Sequence, residues 1–317
     1  MIQIFLIENR CHLSAKLFHN RAIFCGKKIS FINTMPQLKN NHTIPKCLIK
    51  EWAVEGLNYK GVYVYQYVKD RIHFSSGKGS GGYSFAIESD IYVPQKNAER
   101  IIAVEKWLGG TENTLNIFLR EIKSNNKKHL LRSKKNFNMF LLALFSVRHR
   151  SKHNLKSIGN FLIDNPNYKE KINSGEENMS IVVLENFIHS TIEEAMRFEN
   201  CELIIAKSQS CNLILGDRPF LFNEDQDDYS FVPLTPHYLL SIRKIRESSY
   251  YFINENALTD EMVHSFNQMI AQNSREWIVA SNEQQLNNYV PYTKVEREEQ
   301  TPFYEPVQKL VTGYRLE

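Results

Sequence analysis

Five polar side chains in this 317-residue sequence are of types that could act together on a phosphate ester. They are His42, Glu105, Glu112, Arg148 and Asp217. Glu105 and Glu112 are seven positions apart, so an unbroken helix would place both on one face. Asp217 ends the apolar segment LILGD, and the last residue of a strand commonly projects into a cleft. The three carboxylates could bind Mg²⁺ or Mn²⁺ while the arginine binds the phosphate, so we predict a catalytic and metal site formed by these residues.

His42 stands in the stretch NNHTIPKCLIKEWA, just before a segment that we expect to be a short helix. Pro45 suits the first helical position, where no amide hydrogen is needed. Leu48, Ile49 and Trp52 then form one buried face. These residues account for the helix without any help from His42. We therefore predict that the histidine is a metal ligand or a general base.

A strongly basic block is the second chemical signal. The 42 residues between Glu121 and Asp164 contain no Asp or Glu and ten Lys or Arg residues. The remaining 29 of the 39 basic residues are outnumbered by 35 acidic residues, although the chain as a whole carries a net charge of +4. Such a block most often binds phosphate or another acidic surface, and the alternative is a solvated face beside a buried helix. We predict nucleic-acid contacts by seven residues of this block: Lys127, Lys128, Arg132, Lys134, Lys135, Arg150 and Lys152.

Two shorter motifs invite a functional interpretation and have simpler explanations. The stretch RHRSKH at 148–153 resembles the Arg-x4–6-His motif of the HEPN ribonucleases, which promote attack by a ribose 2′-hydroxyl without a metal. The motif is short, and basic stretches produce such matches by chance. The glycine-rich SSGKGSGGYS lacks the Walker spacing and lies between strand-like segments rather than before a helix. We interpret it as a mobile loop.

Cysteine content and hydropathy limit the class of protein. The five cysteines are scattered and include no C-x-x-C pair, which argues against a disulfide framework or a zinc knuckle and favours a reducing compartment. No apolar run reaches the roughly 18 residues that a membrane-spanning helix needs. The longest, FNMFLLALFSV, suits a buried core helix. We predict a soluble, cytoplasmic protein with no membrane partner.

Periodicity predicts an α+β fold, in which a central cluster of helices packs with a mostly antiparallel sheet built from N-terminal and C-terminal strands. Predicted helices begin at Pro45 and cover 96–122 (interrupted at Gly109-Gly110), 133–149, 176–198 and 259–274. Predicted strands are 62–68, a partner strand or pair of strands at 83–93, then 201–208, 212–217 and YSFVPLTPHYLLSIRK. We divide the chain into an N-terminal extension or added strands at 1–34, one α+β domain at 35–286 and a tail at 287–317. A translation start at Met35 is an alternative explanation of the first segment.

The order of several short motifs resembles a bacterial family catalogued as domain of unknown function 4238. NHTIPKCLIKEWA, VEKWLGGTENTLNIFLREI, NMFLLALFSVRHR, CELIIAKSQSCNLILGDRPF and FVPLTPHYLLSIRK follow one another as in that family, over about residues 40–285. The resemblance carries these positions across: His42, Pro45, Glu105, Glu112, Arg148, Asp217, Pro219, Pro233 and Asn267. This sequence departs from the family pattern at Thr43-Ile44, His149, Gly216 and Phe266. The resemblance implies a site at the matched residues, and the activity of the family is not established.

Our leading hypothesis is a nucleic-acid-acting hydrolase, a nuclease that favours RNA, in a toxin or phage-defence role. In its metal-dependent form the carboxylates bind the ion, Arg148 stabilises the phosphate charge and His42 is a ligand or base. An alternative is a non-catalytic binding or regulatory module, in which the same side chains form a buried arginine–carboxylate network. A hydrolase or transferase acting on a small phosphorylated molecule is a third. Convergence of these residues in an open cleft would favour an enzyme, and pairing in the core would favour the module.

Overall fold

Eight α-helices are present in the part of the chain that the computed structural model describes, which is residues 40–79, 82–96, 99–100, 102–124, 133–175, 178–210, 212–222, 229–245 and 251–294. In chain order they are α1 Lys46–Ile49, α2 Ala103–Lys123, α3 Lys134–His149, α4 Lys152–Asp164, α5 Pro166–Asn173, α6 Met179–Arg197, α7 Asp260–Asn273 and α8 Glu283–Tyr289. None of these helices has the length and apolar character that crossing a membrane requires.

The same residues form strands β1 Asn40–His42, β2 Val54–Glu55, β3 Lys60–Gln66, β4 Arg71–Ser76, β5 Ile87–Ser89, β6 Gln95–Lys96, β7 Glu99–Arg100, β8 Cys201–Ser208, β9 Leu215–Gly216, β10 Leu221–Phe222, β11 Tyr229–Thr235, β12 Tyr238–Lys244, β13 Tyr251–Leu258 and β14 Trp277–Ala280. One sheet has the order β2-β3-β14-β9, with β4 also paired to β3, and so joins N-terminal to C-terminal strands. A second has the order β10-β11-β12-β8-β13, in which β13 runs parallel to β8. The predicted α+β class is confirmed.

Helix α3 lies at the centre of the helical cluster, as its sequence predicts. Ser133 caps it by accepting a hydrogen bond from the Asn136 amide. Phe137, Phe140 and Phe145 have no solvent exposure. Because each fully buried large apolar side chain contributes about 1.5–3 kcal/mol, this helix supplies much of the stability of the core. The position of its last turn is therefore fixed by packing, and that turn carries the basic motif at 148–150.

Helix α2 runs without interruption through Gly109 and Gly110, and the predicted break there is wrong. Each glycine costs a helix about 1 kcal/mol relative to alanine. The buried stripe that includes Leu108, Leu115 and Leu119 outweighs this cost. An added Cβ at either glycine would meet nothing within 4 Å, so neither glycine is required by close packing. The unbroken helix therefore carries both glutamates of the predicted site.

The partner of the predicted strand at 62–68 also differs from the expectation. Strand β3 pairs with β4, after a turn in which Asp70 adopts the left-handed conformation with φ of 44°. The segment predicted to be its partner, 83–93, instead contains β5, which pairs with β1. The predicted strand therefore exists only in part, and its residues position β1 rather than extend the sheet.

The sequence pattern did not reveal two helices, α4 in the basic block and α5 directly after it. Ser151 caps α4 by accepting from the Asn154 amide, and Leu155 and Leu162 bury its apolar face. Near the other end of the chain, α8 crosses the predicted boundary of the tail, and the 3-10 turn Val290–Lys294 lies within the predicted tail. The rest of that tail and residues 1–34 lie outside the described residues, so the predicted division of the chain stays a prediction.

Candidate functional site

His42 is the last residue of β1 and is held at both its main chain and its ring. Strand β1 pairs antiparallel with β5, with His42 opposite Ile87. The Nε2 atom lies 3.0 Å from the Gly82 carbonyl oxygen. The His42 carbonyl oxygen accepts a hydrogen bond from Arg150 Nη2 at 2.5 Å. Two separate segments therefore fix the position of the imidazole.

The protonation state of His42 follows from these contacts. Burial is the largest influence and lowers its pKa below the usual 6.5. The charges of Lys46 and Arg150 lower the pKa further, while the Gly82 hydrogen bond and Glu112 oppose the shift. The ring is therefore neutral at pH 7. Because the Gly82 carbonyl can only accept, Nε2 carries the hydrogen and Nδ1 carries the lone pair.

The glycine-rich segment folds against this histidine. Lys46 Nζ donates to the Gly79 carbonyl oxygen at 3.0 Å. A Cβ at Gly82 would lie 2.5 Å from the Gly77 carbonyl oxygen and 3.0 Å from Lys46 Nζ, so only glycine allows this close approach. A 3-10 turn at Ser84–Ala86 follows, not the long helix of a phosphate-binding loop. The segment is a loop as predicted, and residues 80–81 lie outside the described part.

Arg150 lies inside the protein beneath His42. Its side chain is 2% exposed, and Nη1 lies 2.7 Å from Glu112 Oε1. The guanidinium lies 5.4 Å from the centre of the Tyr92 ring, and the Tyr92 hydroxyl donates to the Arg150 carbonyl oxygen. Burial lowers the pKa of Arg150, but Tyr92 and Glu112 outweigh it and raise the pKa above its usual range. The guanidinium that we predicted to contact nucleic acid therefore holds Glu112 and the main chain of His42.

The two glutamates of α2 both reach this region. Glu112 binds Arg150, and Glu105 Oε1 accepts from Asn41 Nδ2 at 3.1 Å. Asn41 is 5% exposed and precedes His42 in β1. The structure thus brings together three predicted catalytic residues, and we call the following set the β1 cluster: Asn41, His42, Glu105, Glu112 and Arg150.

Arg148, the fourth predicted catalytic residue, points to a different helix. It forms an ion pair with Glu194 of α6, and its guanidinium carbon lies 3.3 Å from the centre of the Phe222 ring. His149 Nε2 lies 2.5 Å from the other Glu194 oxygen. Burial, followed by the charge of Arg148, lowers the pKa of His149 to about 3. A neutral His149 therefore donates a hydrogen bond to Glu194, whose charge is balanced by Arg148.

Asp217, the fifth, is 4% exposed and binds the backbone. Its Oδ1 accepts from the amides of Arg275 at 2.9 Å, Glu276 at 3.2 Å and Trp277 at 3.5 Å. Burial raises the pKa of Asp217 to about 6, although the amide hydrogen bonds oppose the shift. The carboxyl group thus orders the turn between α7 and β14.

The predicted metal ligands have separate partners. Glu105 contacts Asn41, Glu112 contacts Arg150, and Asp217 contacts the backbone at 275–277. Within the described ranges, no three His, Cys, Asp or Glu side chains group in a way that could hold a metal ion. Binding of Mg²⁺ or Mn²⁺ stays a prediction.

The basic block finds its counter-charges in other elements. Acidic partners are present for Lys123 (Glu51, 2.9 Å), Lys134 (Glu199, 3.8 Å), Arg148 (Glu194), Arg150 (Glu112, 2.7 Å) and Lys152 (Glu88, 2.5 Å, and Glu276, 3.7 Å). Lys135 and Lys156 are exposed. Lys127, Lys128 and Arg132 lie outside the described residues. Much of the described block therefore ties helices to the rest of the fold.

The two residues of the Arg-x4-His pattern have different surroundings. Arg148 pairs with Glu194, whereas His153 lies in the first turn of α4. Burial lowers the pKa of His153, and Arg218, Arg275 and Lys156 lower it further. His153 therefore lies near other cations, whereas Arg148 faces helix α6.

Four residues that organise these sites were not predicted from the sequence: Asn41, Tyr92, Arg150 (as a buried side chain) and Glu194. The sequence contains a weak signal for Glu194, because this carboxylate interrupts the apolar face of α6. In the structure Glu194 is 7% exposed. Arg150 differs from Arg148 by two positions, and periodicity alone does not decide which of the two faces the core. The partners of these four residues lie too far away along the chain for local sequence patterns to indicate the contacts.

A comparison of the sequence with known protein families agrees with the resemblance indicated by the order of its motifs. A family model described as a protein of unknown function (DUF4238) matches residues 40–284. No curated protein and no solved structure matches the chain. The matched range contains the whole β1 cluster, the Arg148–Glu194 pair and Asp217. This chain is a member of the DUF4238 family.

Proposed function

We propose that this protein is a nucleic-acid-acting hydrolase that favours RNA, with His42 as its general base. The observation that carries the proposal is the state of His42: half-buried, neutral at pH 7, and fixed by Gly82 and Arg150. A positioned neutral imidazole is the commonest general base in enzymes. The helix that follows does not require a histidine at this position.

RNA suits such a base because it carries its own nucleophile. In the proposed step, His42 Nδ1 accepts the proton of a ribose 2′-hydroxyl, and the 2′-oxygen attacks the adjacent phosphorus. The bond from phosphorus to the 5′-oxygen breaks, and that oxygen takes a proton from solvent. The products are a 2′,3′-cyclic phosphate and a 5′-hydroxyl, and His42 returns its proton to solvent. DNA lacks the 2′-hydroxyl and cannot react in this way.

Lys46 is the residue to which we assign stabilisation of the phosphate charge. Its ammonium group is held at the Gly79 carbonyl, and its charge acts on His42. A fixed cation beside the reacting group stabilises the charge that develops on phosphate oxygens. Glu112 supports the site indirectly, because it holds the arginine that binds the His42 carbonyl.

A cleavage assay tests the proposal. The purified chain is incubated with single-stranded RNA, single-stranded DNA and duplex DNA, with Mg²⁺, with Mn²⁺ and with a chelator. We expect RNA to be cut in all three conditions, with 2′,3′-cyclic phosphate ends. His42→Ala should reduce cleavage at least 100-fold, the low end of the usual contribution of a general base. His237→Ala is the matched control, because His237 is exposed in the turn between β11 and β12.

Intact RNA in every condition, or equal cleavage by His42→Ala, would contradict the assignment. Cleavage that disappears with the chelator would instead favour the metal-dependent form of the hypothesis. A toxin or phage-defence role belongs to the same proposal, since RNA cleavage stops growth. Induced expression should therefore arrest bacteria, whereas the His42→Ala protein should not.

A specific observation favours a second function, that of a non-catalytic binding or regulatory module. Two arginine–carboxylate pairs, Arg150–Glu112 and Arg148–Glu194, and the buried carboxyl of Asp217 all have their partners within the fold. This is the arrangement expected of structural polar groups. If the protein binds RNA or an acidic protein and leaves RNA intact, this second function replaces the first.

A further inference from the structure

Three aromatic rings pack together where the turn between β2 and β3 meets the end of β4. The centre of the Phe74 ring lies 5.7 Å from that of Tyr59, with the ring planes 29° apart. It lies 5.1 Å from the centre of the Tyr63 ring, which it meets edge to face. Tyr63 and Phe74 are directly opposite each other in the β3–β4 pair. We call Tyr59, Tyr63 and Phe74 the aromatic platform.

Two glycines bring the Phe74 ring close to the main chain. A Cβ at Gly56 would lie 2.6 Å from Phe74 Cε1, and a Cβ at Gly61 would lie 2.8 Å from the same atom and 2.3 Å from the Ser75 carbonyl oxygen. The Gly56 amide donates to the Tyr59 carbonyl oxygen at 3.0 Å and so closes the turn that carries Tyr59. The platform is therefore formed before any ligand binds, which reduces the entropy cost of binding.

Part of the platform is open to solvent. Tyr59 is 36% exposed, and Tyr63 and Phe74 are partly exposed. Because an aromatic side chain offers about 150–250 Å², the platform exposes on the order of 100–200 Å². A stable protein partner covers about 800 Å² of each surface, and even the fully exposed Leu57 of the same turn leaves this area well below that value. The platform suits a ligand with one or two planar rings better than it suits a protein.

A positive charge lies over the platform. Lys78 Nζ is 6.0 Å from the centre of the Tyr59 ring, and the Lys78 amide donates to Ser76 Oγ at 3.1 Å. The nearby carboxylate of Glu55 forms an ion pair with Lys60 at 2.7 Å, so its charge is balanced. An exposed aromatic ring beside a lysine is the combination with which proteins bind single-stranded nucleic acid, since the base stacks on the ring and the phosphate meets the cation.

The loop that carries Lys78 also holds the residues of the proposed reaction. Gly79 follows Lys78, and its carbonyl oxygen accepts a hydrogen bond from Lys46 Nζ at 3.0 Å. His42 Nε2 contacts the Gly82 carbonyl oxygen of the same loop at 3.0 Å. The aromatic platform therefore contacts the loop through Lys78, and the reacting residues contact it through Gly79 and Gly82. RNA that reacts at His42 would place a neighbouring nucleotide at the platform.

We propose that the aromatic platform binds an unpaired base of the RNA by stacking on Tyr59, and that Lys78 binds the phosphate of that nucleotide. Stacking on one aromatic side chain is worth about 5- to 150-fold in affinity, and it tolerates any base because every base has a planar face. A paired base is already stacked in its duplex, so the platform selects single strands. The choice of RNA rests on the proposed function, whereas recognition of an unpaired base does not.

A titration measures binding separately from cleavage. A labelled oligouridylate is titrated against the full chain carrying His42→Ala. Addition of Tyr59→Ala should weaken binding at least fivefold, the low end of the usual contribution of one stacked base. Tyr59→Phe keeps the ring and should change the affinity less than twofold. Phe161→Ala is the matched control, because Phe161 is an aromatic residue of α4 with 68% exposure, and it should also change the affinity less than twofold.

The salt dependence of binding separates the ring from the lysine. Lys78→Gln should reduce the slope of log affinity against log salt concentration by about 0.7, the value for one phosphate contact on a single strand. Tyr59→Ala should leave this slope unchanged, because loss of stacking releases no counterions. It should also leave the affinity for duplex RNA unchanged, because a duplex offers no unpaired base.

Three results would overturn the platform. They are an oligouridylate affinity that Tyr59→Ala leaves unchanged, an equal loss of affinity with Phe161→Ala, and an equal loss of duplex affinity with Tyr59→Ala. Circular dichroism of each variant shows whether the fold is retained. If Tyr59→Ala does not fold, the exposed Lys78→Gln variant decides, and an unchanged salt slope then overturns the proposal.

These outcomes are independent of cleavage by His42. If Tyr59→Ala weakens oligouridylate binding while the otherwise native chain leaves RNA intact, the platform is supported and the hydrolase proposal fails. If the native chain cuts RNA and the Tyr59→Ala chain cuts it with an unchanged KM, the hydrolase proposal is supported and the platform is overturned. Absence of any oligouridylate binding overturns the platform whatever the cleavage assay shows.

Discussion

The Arg150–Glu112 pair gives an asymmetric prediction about stability. The Arg150 side chain is 2% exposed and that of Glu112 is 30% exposed. Glu112→Ala leaves a buried guanidinium without its counter-charge, and breaking a buried pair in this way costs about 3–5 kcal/mol. Arg150→Met keeps much of the volume and leaves a glutamate that water can reach, so it removes two hydrogen bonds at a total cost of about 1–3 kcal/mol. Substitution of Glu112 should therefore lower the free energy of unfolding more than substitution of Arg150.

Urea unfolding followed by circular dichroism measures both free energies of unfolding. The double variant Glu112→Ala/Arg150→Met should be more stable than Glu112→Ala alone, because it removes the uncompensated charge. Lys60→Met is a control for an exposed pair, since Lys60 and Glu55 form an ion pair in which the side chains are 68% and 71% exposed. It should cost less than 1 kcal/mol. A larger loss for Arg150→Met than for Glu112→Ala would refute the argument from burial.

Three further predictions follow from single residues. Gly109→Ala and Gly110→Ala should each raise the free energy of unfolding by about 0.5–1 kcal/mol, because the new methyl group meets nothing within 4 Å and helix α2 gains rigidity; a loss in urea unfolding would contradict the unbroken helix. Asp217 has a folded pKa of about 6, above its usual 3.8, so ionisation of its carboxyl group should lower the free energy of unfolding by about 2 kcal/mol as the pH rises from 4 to 6, and Asp217→Asn should remove this slope in unfolding measured at each pH. RNA cleavage should increase with pH and reach half of its plateau below pH 6.5, because the pKa of His42 is lowered from that value, and a midpoint of kcat/KM above pH 6.5 would exclude His42 as the base.

Elements with strong local signals were predicted closely from the sequence. Helix α3 has an apolar surface on nearly all sides and a serine cap, and its predicted bounds of 133–149 match Lys134–His149. Helix α7 begins after Thr259, which caps it through the Met262 amide. Both depend on residues within one or two helical turns of each other, so the sequence alone contains the necessary information.

Features that depend on distant partners were not predictable in the same way. The break expected at Gly109-Gly110 was wrong because buried leucines elsewhere in α2 decide the outcome. Of the predicted catalytic residues, His42, Glu105 and Glu112 meet through Asn41 and Arg150, and nothing in local periodicity indicates those two connections. Arg148 and Asp217 were identified as notable residues, but their partners lie 46 and about 58 positions away along the chain. Side-chain pairing over such separations is set by tertiary packing.

The end of α3 has a mechanical consequence for the whole helical cluster. Successive residues of a helix turn by about 100°, so Arg148 and Arg150 face nearly opposite directions from the same turn. One cation holds α6 through Glu194, and the other holds α2 through Glu112. The last turn of α3 therefore connects α6 to α2. If this turn rotated, one ion pair would be strained while the other was relaxed. A ligand that moves β1 would also move Arg150 and with it the last turn of α3. Amide hydrogen exchange in α6 should then change, although the ligand does not contact that helix.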